Sequence, residues 1–370
     1  MAAPLLALQS LTLSHFRSHK RTVLETDGRP VVIYGANGAG KTNILEAISM
    51  LSPGRGLRGA KAEELARSNE SVGWKVSGVL QSLHHVHEVE TFFDGKGSRK
   101  VLIDEKASTQ AALGRIGRVI WLVPAMDRLW VEGADGRRKF LDRLALSFHP
   151  NHGEASLTYE KAMRERNRML KDGVRDSSWY SAVEAQMATT GAVINTNRLT
   201  TLDMLSIAQE QADSNFPMAE CAIVHSEGME IPEDENALAV ALAESRPRDL
   251  MAGRTLIGPH RVDLEAVYST KGVAARKCST GEQKALLVSL ILANGRALAA
   301  DFGTPPIYLL DEVAAHLDGD RRAALYNEIC ALGAQAWMTG TGRELFEDMG
   351  NRAMRLVVTE VDGSSSITAV

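Results

Sequence analysis

The sequence predicts an α/β phosphate-loop head assembled from the two ends of the chain, with a mainly helical lobe inserted between them. Three observations carry this. GANGAGKT, residues 35–42, follows the apolar run Val31–Tyr34 and precedes a helical repeat. A second short apolar run, residues 307–310, ends far downstream in Asp311 and Glu312. Between the two, residues 136–211 change to a helix-rich, breaker-poor texture. The boundaries read as 1–105 and 250–370 for the head and 106–249 for the inserted lobe, or arm.

The elements follow in order. Leu6, Leu8, Leu11 and Leu13 alternate loosely with small or polar residues, as a strand does, up to SHFRSHKR. Val31–Tyr34 is a continuous apolar run of the buried-strand type, and in TNILEAISML the residues Ile44, Leu45, Ile48 and Leu51 fall at helical spacing. Residues 71–105 read as further strands, with a hairpin turning at Asp94–Gly97. EASLTYEKAMRERNRMLKD, residues 154–172, reads as one long helix whose mixed Arg, Lys and acidic residues describe a solvated face. Near Gly253 strand-like, glycine-bearing segments return and alternate with helical ones to Val370.

Composition narrows the class. A chain of 370 residues suggests two domains, or one with an insertion, at roughly 100–200 residues per domain. Hydrophobic content of 44% and charged content of 24% favour neither disorder nor a membrane class. The longest apolar-rich stretch, Ala285–Ala293, is too short to cross a bilayer. Cys221, Cys278 and Cys330 lie far apart, without zinc or dithiol spacing, and MAAPLLALQS does not look like a secretory signal. A cytoplasmic protein without a membrane partner is expected. At a net charge of -4, any nucleic-acid surface must be a local basic patch.

Three segments carry chemistry. Gly35, Ala36, Asn37, Gly38, Ala39, Gly40, Lys41 and Thr42 meet the G-x-x-x-x-G-K-[ST] pattern in full. Its glycines let backbone N–H groups face phosphate, Lys41 reaches the terminal phosphates, and Thr42 offers a hydroxyl to Mg²⁺. The helix that follows presents its positive end to the same anion. Asp311, at the end of a buried strand, suits the metal, and Glu312 is the candidate general base for an attacking water. In CSTGEQKALLVSLILANG, residues 278–295, Ser279 and Gly281 open a long apolar helix, giving a second anion-binding end suited to a nucleotide held by another subunit. A plain helix cap at Ser279 is the simpler reading of the same residues.

Together these segments resemble the ABC-type ATPases and, within them, the heads of SMC-type proteins, with Ser279-Thr280-Gly281-Glu282 similar to their signature. The resemblance is closer still to the RecF family of bacterial recombination mediators, through LTLSHFRSHK, GRRKFLDRL at 136–144, GRTLIGPHRVDL at 253–264 and the overall length. It implies that Gly35–Thr42 and Ser279 with Gly281 bind ATP from opposite subunits. It further implies that Asp318 contacts the partner subunit and that Arg17 lies near the nucleotide, although Arg17 also reads as a surface arginine at a strand end. ATP and Mg²⁺ are the implied cofactors. The implied function is ATP-driven head-to-tail homodimerisation that clamps DNA at single-strand gaps or single/double-strand junctions, in recombinational repair and replication restart. Hydrolysis then releases the clamp, aiding recombinase loading, with RecO and RecR as mediator partners. Arg55, Arg58, Lys61, Arg137, Arg138 and Lys139 are candidate DNA contacts, each readable as a solvated charge and the pair Arg137 and Arg138 as a structural ion pair.

Departures from that pattern matter. QAWMTGTGRE lacks the histidine that senses γ-phosphate and offers Thr339 or Thr341 instead; VIWLVPAMDRLW, residues 119–130, lacks the glutamine loop. Thr280 replaces a residue usually basic or glycine, and Val262 interrupts an expected acidic pair. Slow hydrolysis is therefore expected. A transporter ATPase subunit shares the nucleotide motifs, but the long insertion and the missing glutamine loop weigh against it; an ATP-binding scaffold without turnover is opposed by the presence of Glu312.

Overall fold

The protein is described by a computed structural model covering residues 5–67, 70, 72–225, 230–232 and 234–370. In chain order the elements are β1 (Leu6–Phe16), β2 (His19–Glu25), β3 (Val31–Tyr34), α1 (Lys41–Ser49), β4 (Trp74–Ser82), β5 (His85–Phe93), β6 (Lys100–Ile103), β7 (Lys106–Ser108), α2 (Gln110–Ile116) and β8 (Val119–Leu122). They continue with α3 (Ala134–Phe148), α4 (His152–Lys171), α5 (Ser177–Glu210), β9 (Ala219–His225), α6 (Glu235–Ala252), β10 (Val262–Tyr268) and β11 (Val273–Ala274). The last are α7 (Thr280–Asp301), β12 (Ile307–Leu310), α8 (Gly319–Ala331), β13 (Ala336–Gly340), β14 (Met354–Val361) and β15 (Ser364–Ala369).

Two compact units emerge, one made of residues 1–127, 207–218 and 279–370, the other of 128–206 and 219–278. The first holds two six-stranded sheets. One, in the order β2-β1-β4-β5-β6-β7, is antiparallel throughout. The other runs β15-β14-β3-β13-β12-β8, parallel from β14 to β8 with β15 antiparallel at one edge. Its inner strands are near-continuous apolar runs because both faces are covered; Val31, Val32, Ile33, Leu309 and Trp337 have no exposed surface. Ile44, Leu45 and Ile48 of α1 join the leucines of β1 in the same core. Helix α7 is buried on every side from Gln283 to Gly295, which explains an apolar run that is not confined to one stripe. Among the described residues, no helix is long and apolar enough to cross a membrane.

The loose alternation at the start of the chain has a cause. The register of β1 against β4 shifts between Leu8 and Ser10, a β-bulge that inserts one residue. Leu6 and Leu8 before it, and Leu11 and Leu13 after it, therefore face the same core despite the odd spacing between the pairs.

The second unit is mainly helical, built on α3, α4, most of α5 and α6, and it also carries the antiparallel sheet β11-β10-β9. Tyr159, Ala162, Met187, Ala188, Ile194, Leu238 and Leu242 form a core of this unit. The expectation of a fully solvated charged face on α4 fails at Arg166, which has no exposed surface. Its guanidinium donates to Glu184 at 2.9 Å, to Asp249 at 2.7 Å, and to the carbonyl of Leu242 at 2.9 Å. The boundaries also fall elsewhere than the composition shift suggested. Residues 106–127 go with the first unit because β8 pairs in parallel with β12, and residues 250–278 go with the second because β10 pairs with β9. A four-residue apolar run such as Val119–Leu122 announces burial without naming the strand it will join.

Candidate functional site

Strand β3 leads into the glycine loop, and Gly40, at φ 102°, is the left-handed residue from which α1 starts. A side chain there is strained by the backbone and would overlap the hydroxyl of Ser365. Lys41 is buried and its ammonium donates to the carbonyls of Gly35 at 2.8 Å and Ala36 at 3.0 Å, with Glu312 Oε1 at 3.7 Å. The loop is held from behind. Ser365 Oγ lies 2.7 Å from both the Ala39 carbonyl and the Ser18 hydroxyl, and Asn43 Nδ2 donates to Ser18 Oγ at 2.8 Å. Arg67 ties the carbonyl of Ser18 to that of Gly363, at 2.6 and 2.9 Å. His19 Nε2 is 3.3 Å from the Gly40 carbonyl, and burial lowers the pKa of this imidazole.

Strand β12 delivers Asp311 to the same place. Thr42 donates its hydroxyl to Asp311 Oδ1 at 2.8 Å and Oδ2 at 3.1 Å. Thr339, from β13, donates to Asp311 Oδ1 at 2.7 Å. Glu312 follows with φ 54°, a left-handed conformation that costs a residue with a Cβ roughly 1–2 kcal/mol; its N–H donates to Thr339 Oγ1 at 2.9 Å. Hydroxyl and carboxylate oxygens are the hard donors that a small dication such as Mg²⁺ takes, so Thr42 and Asp311 fit that metal. Among the described residues there is no cluster of three or more His, Cys, Asp or Glu that could hold a metal by itself.

Ser279 is the N-cap of α7, closing a capping box with Glu282. Its N–H and Oγ each lie 2.8 Å from Glu282 Oε2, and the Glu282 N–H donates to Ser279 Oγ at 3.4 Å. The capped-helix reading is thus what the chain's own contacts display, while Ser279 and Gly281 remain exposed and a Cβ on Gly281 would meet open space. Asp318 is likewise the exposed N-cap of α8, accepting the Arg321 N–H at 2.8 Å.

The cations are largely committed elsewhere. Arg17 forms a two-point pair with Glu46, both bonds 2.8 Å, and donates to the Glu64 carbonyl; Glu46 is wholly buried and also takes Arg58 at 3.0 Å. Arg17 is therefore bound to α1 by Glu46 rather than lying loose at a strand end. Arg137 grips Asp263 with two bonds of 2.7 and 2.8 Å, which raise its pKa further, and Arg138 donates to the Val262 carbonyl at 2.9 Å. Arg137 thus forms a structural ion pair, whereas Arg138 is held by a backbone carbonyl with Asp135 at 3.7 Å. Lys139 sits 2.6 Å from Asp135, leaving Arg55 and Lys61 as exposed candidates, the latter 4.0 Å from Glu63. Val262, where a second acid was expected, is buried on β10. In the segment without a glutamine loop, Asp127 pairs with the buried Lys284 of α7 at 3.1 Å.

Sequence reasoning missed Ser18, Asn43, Arg67, Ser365 and Glu46. Only Ser18 lies in the polar cluster SHFRSHKR, and each of the five takes its meaning from partners remote in the sequence: Glu46 from Arg17, Asn43 and Ser365 from Ser18, and Arg67 from Ser18 and Gly363.

Comparisons with known proteins concern the whole chain. The family model described as the RecF/RecN/SMC N terminal domain matches residues 7–365. The chain is 43% identical over 357 residues to the DNA replication and repair protein RecF of Brucella abortus, covering 94% of this chain and 93% of that one. It is 42% identical over 364 residues to that of Rhizobium etli, covering 96% and 97%. A solved structure of the recombination mediator protein RecF-ATP in the RecFOR pathway superposes with a TM-score of 0.80 at 25% identity, over 99% of this chain and 100% of that one. An Smc head domain from Pyrococcus furiosus shares the fold, with a TM-score of 0.56 at 18% identity over 99% and 96% of the two chains. With an ABC-type head, a mainly helical insertion and relatives of this identity along almost its whole length, the chain belongs to the RecF family of DNA replication and repair proteins.

Proposed function

We propose that the chain is an ATP-hydrolysing, DNA-binding switch of recombinational repair and replication restart. The observation that carries this is the convergence of Lys41, Thr42, Asp311 and Glu312 at the ends of β3 and β12. Support for the biological setting comes from relatives named DNA replication and repair protein RecF, and from a solved relative described with ATP in the RecFOR pathway.

Residues 35–42 bind the phosphates of ATP, and Lys41 neutralises the terminal ones. Thr42 and Asp311 would hold Mg²⁺, which would offset the charge of the phosphates. Glu312 accepts a proton from the attacking water. Ser279 and Gly281, exposed on α7, close over ATP bound by a second copy, and Asp318 meets that copy. Arg17 steadies α1 beside the nucleotide through Glu46. DNA at a gap or junction is gripped when the two heads meet, and slow hydrolysis, below about 10 per second, releases it. Of the six basic candidates, Arg55 and Lys61 are the best placed to contact DNA, being exposed where the equally exposed Arg58 and Lys139 are bonded to Glu46 and Asp135. RecO and RecR are the proposed protein partners, and the cytoplasm the proposed location.

The test is sedimentation of Glu312→Gln with ATP and Mg²⁺, with and without a short gapped duplex. An ATP-dependent dimer, abolished by Ser279→Arg and strengthened by the duplex, is expected. A monomer under every condition would refute the composite site and favour an ATP-binding scaffold.

A further inference from the structure

We infer that Thr339 is a positioning residue for hydrolysis, holding Asp311 and Glu312 in register with one hydroxyl. The inference rests on the proposed roles of those two carboxylates. Strand β13 lies between β3 and β12, pairing in parallel with both. A side chain at its end therefore reaches the carboxylates that follow β12. Thr339 is fully buried, and its hydroxyl uses both of its capacities there: its hydrogen goes to Asp311 Oδ1 at 2.7 Å, and its oxygen takes the Glu312 N–H at 2.9 Å.

Each bond has a distinct consequence. The bond to Asp311 fixes the rotation of a carboxylate already bonded to Thr42, so that its oxygens are oriented before a metal arrives. The bond from Glu312 anchors a backbone amide whose φ of 54° is unfavourable for a side-chain-bearing residue. That left-handed turn separates the direction of Glu312 from that of Asp311 and leaves the Glu312 carboxylate 3.7 Å from the Lys41 ammonium. Thr341, the other hydroxyl in this segment, is exposed. Of the two threonines in the place of the missing histidine, only Thr339 bonds to Asp311 and Glu312 among the described residues, and it does so by orienting carboxylates.

The experiment compares the full-length chain with Thr339→Val, which keeps the shape and loses the hydroxyl, and with Thr339→Ser, which keeps the hydroxyl. ATP affinity, single-turnover hydrolysis at saturating ATP, the Mg²⁺ concentration for half-maximal rate, and the melting temperature are measured for each. Thr339→Val is expected to bind ATP as the parent does, to hydrolyse it about 10–100-fold more slowly, and to need more Mg²⁺. Thr339→Ser should recover most of both losses. If the valine variant does not fold, Thr339→Ala is measured in its place. A lowered melting temperature with unchanged rate and unchanged Mg²⁺ requirement would overturn the inference alone. Absence of hydrolysis by the parent chain would overturn the ATPase reading, and this inference with it.

Discussion

Thr42 and Asp311, 269 residues apart in the chain, are joined by a hydroxyl that donates to both carboxylate oxygens at 2.8 and 3.1 Å. The bond spans the seam between the two ends of the chain, and it prepares two hard oxygen donors at one point. Thr42→Ala is expected to raise the Mg²⁺ needed for half-maximal ATP hydrolysis about 10–100-fold, while Thr42→Ser changes it little. Magnesium titration of the hydrolysis rate distinguishes them.

Gly40 is constrained twice, by φ 102° and by Ser365 and Ser18 packed behind it. Those serines are tied to each other and, through Ser365, to Ala39, so they cannot simply swing away. Gly40→Ala should cost about 1–3 kcal/mol of stability and weaken ATP binding. Calorimetric unfolding and nucleotide titration check the two effects, and a variant that unfolds and binds like the parent would refute both.

Arg166 is buried with two carboxylates, Glu184 and Asp249, and removing it strands Asp249 without a guanidinium. Losing one side of a buried pair typically costs about 3–5 kcal/mol. Arg166→Ala should therefore lower the denaturant midpoint of the lobe well before any change in the phosphate loop. Hydrogen exchange resolved along the sequence separates the two units.

The lobe should weaken in acid, and two groups set the window. Burial, with Arg261, Arg138 and Arg166 nearby, outweighs the bond to the Thr255 carbonyl and brings His260 from 6.5 to about 4. Burial pushes Asp142 up, but Arg198 and His152 overcome it and bring this carboxyl from 3.8 to about 2. In both cases the unfolded chain binds the proton more tightly, so stability falls as pH falls. The His260 contribution is complete above pH 6.5 and is lost down to about pH 4; that of Asp142 is lost from pH 3.8 to about 2. For His260 the whole loss is on the order of 3 kcal/mol. Denaturant unfolding of the lobe between pH 7 and 4.5 should show this decline, and His260→Gln, which cannot take the proton, should flatten it.

Residues adjacent in the chain carried their own message. Gly35–Thr42 declared a phosphate loop because neighbouring glycines, a lysine and a threonine act together over eight consecutive positions, and Val31–Tyr34 and Ile44–Ile48 supplied the strand and helix around it. Asp311 and Glu312 were legible from the buried strand Ile307–Leu310, and a helix cap at Ser279 from its place before a long apolar helix. Tertiary structure alone decided which distant groups meet them. It brought Thr339 to both carboxylates, set Ser18, Ser365 and Arg67 behind the loop, and placed β8 beside β12. It also turned Arg166 from one charge of a solvated helical face into a buried paired group, and it chose Asp263 as the partner of Arg137. The physical reason is common to all of these. Periodicity and local chemistry report which side of an element is buried or polar, whereas the partner of a hydroxyl, a guanidinium or a short apolar strand is chosen by the packing of segments remote in the chain.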